Sequence, residues 1–439
     1  MLPSTGAFSM QPLQFNDLLI SFTSEFLPLW NDKGSSAQKA VGLWRPSTTS
    51  DALSSFYALG DIAVGHYRNI NQGKIVAVVS DANKADGTAL RPPVDYQRVW
   101  HDEGTGAHSN LSIWRPLAPQ GYVTMGLVCG VGYDKPSRHA VRCVREDLVV
   151  TAQLGELIWN DKGSGCANDL SIWSITAPEA PVGEAYLAPG TFLGHGSYAK
   201  PGIEAYSLRL ALTTHLSDLP SPPVLTGHEI PSLDENTATL HACELPWFCV
   251  KDPELSAVEQ LQSSPTYRLE RTDRYRLGGF GHNTGQTPQP FMWTASKGEL
   301  GTNARALAFN TSIDLCKEWP AHPQAFELSF SAQLDRDFTH TQRSAKGWSH
   351  SSPLEIIIYV PPKKAVAAYL LHSEYCLLRQ DGSQVSATVS YTNGDHVYMS
   401  ESPDTEPLPQ EATPREEAPQ AEPDLQVTGH DLIDNALTP

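Results

Sequence analysis

Three copies of one short motif constrain the fold of this chain more than any other feature of its 439 residues. Each copy has two tryptophans 14 residues apart, an aspartate two residues after the first of them, and a glycine two residues later. The tryptophan pairs are Trp30 and Trp44, Trp100 and Trp114, and Trp159 and Trp173. Repeated units of this size bury their apolar faces against one another. The sequence therefore predicts one domain assembled from three copies.

Each copy predicts a strand, a tight turn and a returning strand. The turn is indicated by Asp32, Asp102 and Asp161 with their glycines, because Asp bonds the backbone two residues on and Gly tolerates positive φ. The returning strand alternates apolar and polar residues, as at Leu111 and Ile113. A further apolar segment punctuated by glycine follows at residues 57–65, 122–130 and 191–194. Such units can close without long free edges, so we predict an all-β, pseudo-threefold β-prism-like domain over residues 1–210.

Several of these segments, in this order, resemble the vacuolar protein sorting-associated protein 62 family. They are residues 57–61, 114–126, 142–148 and 158–165. The resemblance covers about residues 15–210 and implies a β-prism-like architecture and a role in trafficking. It does not supply an active site. The first copy departs from the pattern at two positions. Ser36 stands where the other copies have glycine, and Ala40 stands where they have Asn110 or Asp169.

Two interpretations of the motif residues are open. The tryptophans can form a buried core, since each can bury on the order of 200 Å². Alternatively, they can form a platform on which a sugar ring stacks. The aspartates suit turn capping, or contacts to a glycan or to calcium, for which only Asp161 with Asp169 offers a second carboxylate. The candidate ligand-binding residues are Trp100, Asp102, Asn110, Trp159, Asp161 and Asp169.

The second half of the chain predicts a connector at residues 211–265 and an elongated antiparallel β-domain at 266–400. Long alternating strands are indicated, for example at 267–277 and 354–360, with one short helical stretch near 252–262. The order of segments 310–312, 328–331, 359–363 and 379–383 resembles aerolysin-like pore-forming proteins. That resemblance implies a body that oligomerises and releases a hairpin, here between Ser331 and Pro353, to build a barrel. A static β-sandwich stalk is the alternative.

Residues 401–439 differ in composition from the rest. The segment contains ten acidic residues and one basic residue, Arg415, together with seven prolines and no aromatic residue. Such a segment buries too little apolar surface to offset its chain entropy, so we predict a disordered acidic tail. It would solubilise the protein or bind a partner.

The seven cysteines form no CxxC pair and no cluster at zinc-like spacing, which predicts buried, reduced thiols and no metal site. Cys129 and Cys143 are close enough in sequence to face each other across adjacent strands. The net charge of −18 and the lack of a basic run argue against nucleic acid as a partner. The start lacks the charge pattern of a secretory signal. We expect synthesis in the cytoplasm, with release and action on target membranes as an extension.

No phosphate-binding loop, HExxH motif or G-x-S-x-G elbow occurs in the sequence. We therefore predict a non-enzymatic recognition protein without a cofactor that binds a glycan or a membrane head group. A homo-oligomer on membranes, as in a bacterial pore-forming toxin, extends this hypothesis. The alternatives are an intracellular trafficking scaffold, whose acidic tail recruits a partner, and a glycan-processing enzyme.

Overall fold

The computed structural model describes residues 11–83, 87–231, 238–250, 252–297, 328–334, 338 and 352–402. The regular secondary structure of the described residues is almost entirely antiparallel sheet, which confirms the predicted all-β class. In chain order the strands up to residue 231 are β1 (Leu13–Phe15), β2 (Leu18–Thr23), β3 (Phe26–Asn31), β4 (Gly42–Pro46), β5 (Tyr57–Ala58), β6 (Ile62–Val64), β7 (Val76–Asp81), β8 (Leu90–Arg91), β9 (Asp95–His101), β10 (Leu111–Leu117), β11 (Tyr122–Val123), β12 (Val128–Val131), β13 (Cys143–Arg145), β14 (Val149–Asn160), β15 (Ser171–Thr176), β16 (Glu184–Leu187), β17 (Phe192–His195), β18 (Ala205–Ala211) and β19 (Thr214–His215).

The described elements after residue 231 are fewer and longer. They are β20 (Thr239–Pro246), α1 (Ala257–Ser263), β21 (Thr266–His282), β22 (Gln289–Lys297), β23 (Phe330–Ala332), β24 (Ser352–Val360), β25 (Ala365–Arg379) and β26 (Val389–Glu401). Helix α1 confirms the short helix predicted near residues 252–262. A capping box formed by Ser256 and Glu259 starts it. Residues up to Ser402 belong to one compact unit, and the boundaries at 210 and 265 stay predictions.

The three sequence copies fold into the same three-stranded arrangement. The sheets are β3–β4–β6, β9–β10–β12 and β14–β15–β17. In each copy the first tryptophan pairs with the residue 13 positions later, as Trp100 pairs with Ile113. Gly34, Gly104 and Gly163 in the turns have φ of 91°, 86° and 87°, a conformation that side chains with a Cβ rarely adopt. The predicted hairpins are confirmed.

The first tryptophans of the three copies meet at one point. Ring centroids of Trp30, Trp100 and Trp159 lie 6.0–6.4 Å apart in edge-to-face pairs. Each indole N–H donates to a backbone carbonyl of the next copy, nine positions after that copy's first tryptophan. These bonds run from Trp30 to Ser109, from Trp100 to Asn168 and from Trp159 to Lys39. The contacts are cyclic from copy to copy, and the pseudo-threefold prism shape itself stays a prediction.

The second tryptophans differ between copies in one hydrogen bond. Trp114 Nε1 donates to Ser112 Oγ at 2.8 Å, and Trp173 Nε1 donates to Ser171 Oγ at 2.9 Å. Gly42 occupies the serine position in the first copy, and among the described residues the buried Trp44 Nε1 has no partner. All three rings are 8–9% exposed, so the copies differ in this bond and not in burial.

We expect this difference to appear in the free energy of unfolding. Trp114→Phe and Trp173→Phe should each cost about 1 kcal/mol more than Trp44→Phe, because only they break a hydrogen bond and leave a serine hydroxyl behind. Urea denaturation of the three variants measures the difference. Equal losses at all three positions would contradict it.

The second half of the chain forms one long sheet covered by a two-stranded ribbon. The long sheet has the order β19–β20–β21–β25–β26, and the ribbon is β22 paired with β24. A Cβ at Gly279 would lie 2.2 Å from the Trp293 ring, and one at Gly281 would lie 2.6 Å from the Phe291 ring. These glycines therefore let the aromatic face of the ribbon pack directly on the backbone of β21.

Residues 328–334 do not join the long sheet. Strand β23 pairs with β16, so it lies at the edge of the sheet that contains the third copy. The first residues of the implied hairpin at Ser331–Pro353, Ser331 to Leu334, lie against the first half of the chain in this structure, and their release to build a barrel stays a prediction. Residues 335–337 and 339–351 of that hairpin, segment 310–312 and residues 403–439 of the acidic tail lie outside the described residues. The prediction of disorder is wrong for the first two residues of the tail, because Glu401 ends β26 and the Ser402 hydroxyl accepts the Ala365 N–H.

None of the six cysteines within the described ranges forms a disulfide bond. Cys129 lies in β12 and Cys143 in β13, which belong to different sheets, so the two do not face each other across adjacent strands. Among the described residues, no helix has the length and apolar character of a membrane span.

Candidate functional site

The predicted ligand-binding role of Trp100 and Trp159 is not supported by their position. Each side chain is about 1% exposed, and both contact Trp30 and each other through their ring edges. A sugar ring needs an open aromatic face, which neither indole offers. The first tryptophans are core residues, as the buried-core interpretation predicted.

The aspartates cap their own hairpins. Oδ1 of each accepts the backbone N–H nine residues later, at 2.8–2.9 Å. The pairs are Asp32 with Val41, Asp102 with Leu111 and Asp161 with Leu170. Burial raises the pKa of the Asp161 carboxyl above its usual value. These carboxylates hold the turns in place, and each keeps oxygen lone pairs for further donors.

One tyrosine per copy lies near the capping aspartate. Tyr67 is close enough to Asp32, Tyr133 to Asp102, and Tyr198 to both Asp161 and Asp169 for the carboxylate to influence the pKa of the phenol. Burial, with the nearby carboxylate, raises the pKa of all three phenols, that of Tyr67 to about 12. The phenols are therefore protonated hydrogen-bond donors at neutral pH. We call the three pairs the tyrosine–aspartate sites.

The tyrosine rings are the accessible part of these sites. Tyr67, Tyr133 and Tyr198 are 42%, 39% and 36% exposed, whereas the aspartates beneath them are at most 4% exposed. Each site thus has an open aromatic surface above a buried carboxylate. That combination of an apolar face and fixed polar atoms can orient a small polar ligand.

The rims of the three sites differ. Asn110 and Asp169, both exposed, stand at equivalent positions in the second and third copies, and Ala40 stands there in the first. The Lys33 ammonium lies 5.0 Å from the centre of the Tyr67 ring, so a cation covers the first site. In the second, the His101 ring meets Tyr133 edge-on at 5.6 Å. Asp169 lies near enough to Asp161 for its charge to help raise the pKa of Asp161, and Asn110 directly precedes Leu111, whose N–H donates to Asp102. The ligand-binding role of these residues stays a prediction.

The sequence interpretation missed the tyrosines, although a signal was present. Each follows the third strand of its copy by three residues or fewer, just after a glycine, at Gly65-His-Tyr67, Gly132-Tyr133 and Gly196-Ser-Tyr198. The spacing from the first tryptophan varies among the copies, which hides the equivalence from a fixed-period comparison. Among the described residues, no three His, Cys, Asp or Glu side chains are grouped to hold a metal ion.

Comparison with known proteins identifies a family over the first half of the chain. The family model described as vacuolar protein sorting-associated protein 62 matches residues 1–223. This match includes all three tyrosine–aspartate sites and confirms the resemblance inferred over residues 15–210. No curated protein matches the chain.

Two solved structures are similar to parts or most of the chain. GNIP1Aa from Chromobacterium piscinae is 27% identical over 42% of this chain, with a TM-score of 0.35, and the match spans 34% of GNIP1Aa. Cry35Ab1 is 10% identical, with a TM-score of 0.34, over 89% of this chain and 90% of its own. At these TM-scores neither likeness supports a statement about function, and the aerolysin-like resemblance stays a prediction.

Proposed function

We propose that this chain, which belongs to the vacuolar protein sorting-associated protein 62 family, is a non-enzymatic recognition protein that binds a glycan. The carrying observation is that each copy presents a partly exposed tyrosine beside a buried aspartate. Three copies of one sequence motif thus carry the same pair of groups. Hairpin capping alone needs the aspartate but gives no reason for an open tyrosine.

A pyranose matches the chemistry of these sites. Its apolar face can lie on the tyrosine ring, and its hydroxyls can bond to the phenol oxygen and the rim amide or carboxylate. Neutral hydroxyls also suit a site with a buried carboxylate, because the negative charge of a phosphate group would be repelled by it. The chemistry therefore favours a neutral glycan over an anionic membrane head group.

The second and third sites are the stronger candidates. They carry Asn110 and Asp169 on the rim, whereas Ala40 offers no polar group and Lys33 lies over the Tyr67 ring. We assign the binding to Tyr133 with Asp102 and Asn110, and to Tyr198 with Asp161 and Asp169. Binding at two sites on one domain would raise the avidity for branched or clustered glycans.

Alanine substitutions at the tyrosines test this function. On a glycan array with the full-length protein, Tyr133→Ala and Tyr198→Ala should each weaken binding about tenfold, the effect of losing roughly 1.4 kcal/mol of ring contact. Tyr133→Phe keeps the aromatic ring and should reduce the binding affinity much less. Tyr67→Ala is the matched control. It removes a similarly exposed tyrosine from the first site, where Ala40 offers no polar group to a glycan, and it should leave binding nearly unchanged.

The other predicted functions are separated by parallel measurements. Binding to phosphatidylserine vesicles that survives both alanine variants would favour membrane recognition, and dye release from those vesicles would favour a pore-forming toxin. A partner lost on deletion of residues 403–439 would favour the trafficking scaffold. Turnover of an array glycan would favour a glycan-processing enzyme and overturn the non-enzymatic proposal.

A further inference from the structure

The edge of β16 is occupied by a segment that comes from far along the chain. Residues 330–332 pair antiparallel with 185–187, and bonds from Ala188 to Ser329 and from Gln333 to Glu184 extend the ladder on both sides. The hydroxyls of Ser329 and Ser331 accept the backbone N–H groups of Ala177 and Ala180 at 3.0 Å. Both the backbone and the serine side chains of this segment therefore bond to the first half of the chain.

The apolar residues of the segment are buried in the core of that same contact. Leu328, Phe330, Ala332 and Leu334 are at most 7% exposed, and the Phe330 ring meets Phe248 edge-on at 5.3 Å. Phe338 extends the contact, since its carbonyl accepts hydrogen bonds from the buried side chains of Arg271 and Tyr375. We call residues 328–334 with Phe338 the docking segment.

The docking segment is tied to the ribbon by long stretches of chain. Residues 298–327, 30 in number, separate it from β22, and residues 339–351, 13 in number, separate it from β24. Extended chain spans about 3.3 Å per residue, so the shorter stretch alone can cover roughly 40 Å. Among the described strands β23 pairs only with β16, so its departure would break no other ladder.

We propose that this contact also forms between two copies of the chain, with the docking segment of one copy on the β16 edge of another. An exchanged segment would make the same ladder, the same two serine bonds and the same Phe338 contact, because every group involved is present on each copy. The open β16 edge of a copy whose segment has left favours such an occupant, since unpaired strand edges accept added strands. The matching pattern of apolar residues and serines favours a second copy over an unrelated peptide.

A disulfide between neighbouring strands can detect the exchange. The flanking hydrogen bonds place Ala185 and Ala332 in a non-hydrogen-bonded pair, the geometry with the closest Cα atoms and the one that suits a disulfide. Ala185→Cys and Ala332→Cys are made in separate full-length chains, mixed and oxidised. Neither chain alone can form the 185–332 bond within itself.

We expect a covalent dimer that contains the 185–332 disulfide in the mixture and in neither variant alone. The doubly substituted chain should instead close within one copy, which shows that both variants fold with the pair in place. As a matched control, Ala152→Cys and Ala205→Cys change another cross-strand alanine pair, in β14 and β18. These two strands are joined to their neighbours in the chain by short connections. That mixture should give no dimer.

A doubly substituted chain that closes fully, while the mixture of single variants stays monomeric, would overturn the proposal. Dimers that lack the 185–332 bond would also overturn it, because the native thiols could then account for them. The outcome does not depend on glycan binding, so it separates from a failure of the proposed function.

Discussion

Replacing Trp100 by alanine should destabilise the fold by about 4 kcal/mol, the cost typical of emptying a large aromatic site in a core. The ring is 1% exposed and contacts Trp30 and Trp159, so its removal leaves a cavity where all three copies meet. The carbonyl of Asn168 also loses its indole donor. Chemical denaturation followed by tryptophan fluorescence and circular dichroism measures the loss.

Trp100→Phe is the matched control for this prediction. It keeps most of the ring contact and removes the hydrogen bond to Asn168, so it should cost about 1–2 kcal/mol. The comparison separates packing from hydrogen bonding. A loss of less than about 1 kcal/mol for Trp100→Ala would show that the tryptophan cluster does not stabilise the contact among the copies.

Asp61→Asn should cost about 3 kcal/mol, because it removes the charged partner of Arg45 from an ion pair in which the Asp61 side chain is fully buried and that of Arg45 is 27% exposed. Arg45 donates to both carboxylate oxygens of Asp61, at 2.9 and 2.8 Å, and Asp61 is completely buried. The same pair reaches the second copy, since Arg45 donates to the carbonyl of Cys129 and the Cys129 N–H donates to Asp61. Burial alone would lower the pKa of Arg45, but the Asp61 charge outweighs it and raises that pKa.

Two comparisons test the origin of this loss. Asp95→Asn breaks a pair with Lys135 in which both side chains are about half exposed, and it should have little measurable effect. The double variant Arg45→Met with Asp61→Leu removes both charges and should be more stable than Asp61→Asn. If Asp61→Asn unfolds at the same denaturant concentration as the parent, the pair does not hold the copies together.

The sequence located the hairpins correctly because their determinants are local. An Asp-x-Gly turn, a glycine with positive φ and an alternating return strand act within about fifteen residues, and the copies repeat them. The burial of the first tryptophans agrees with the buried-core interpretation of the motif. Asp161 and Asp169 lie near each other because they belong to the same hairpin.

Contacts between distant segments were beyond the sequence. Tyr133 and Asp102 are 31 positions apart, and the equivalent spacing differs in the other copies, so no fixed pattern marks the pair. Asp61 and Cys129 are 68 positions apart. Strand β23 was expected in the sheet of the second half, because its alternation fits any sheet and does not specify which edge it joins.

The sequence by itself determined the threefold repetition, the hairpin of each copy and the all-β class, since these depend on turn chemistry and side-chain period over short distances. Only the tertiary structure decided which tyrosine meets which aspartate, which copy the Arg45–Asp61 pair binds, and where the docking segment lies. Those choices depend on how separate strands pack, and the burial and hydrogen bonding that select one arrangement are shared among residues far apart in the chain.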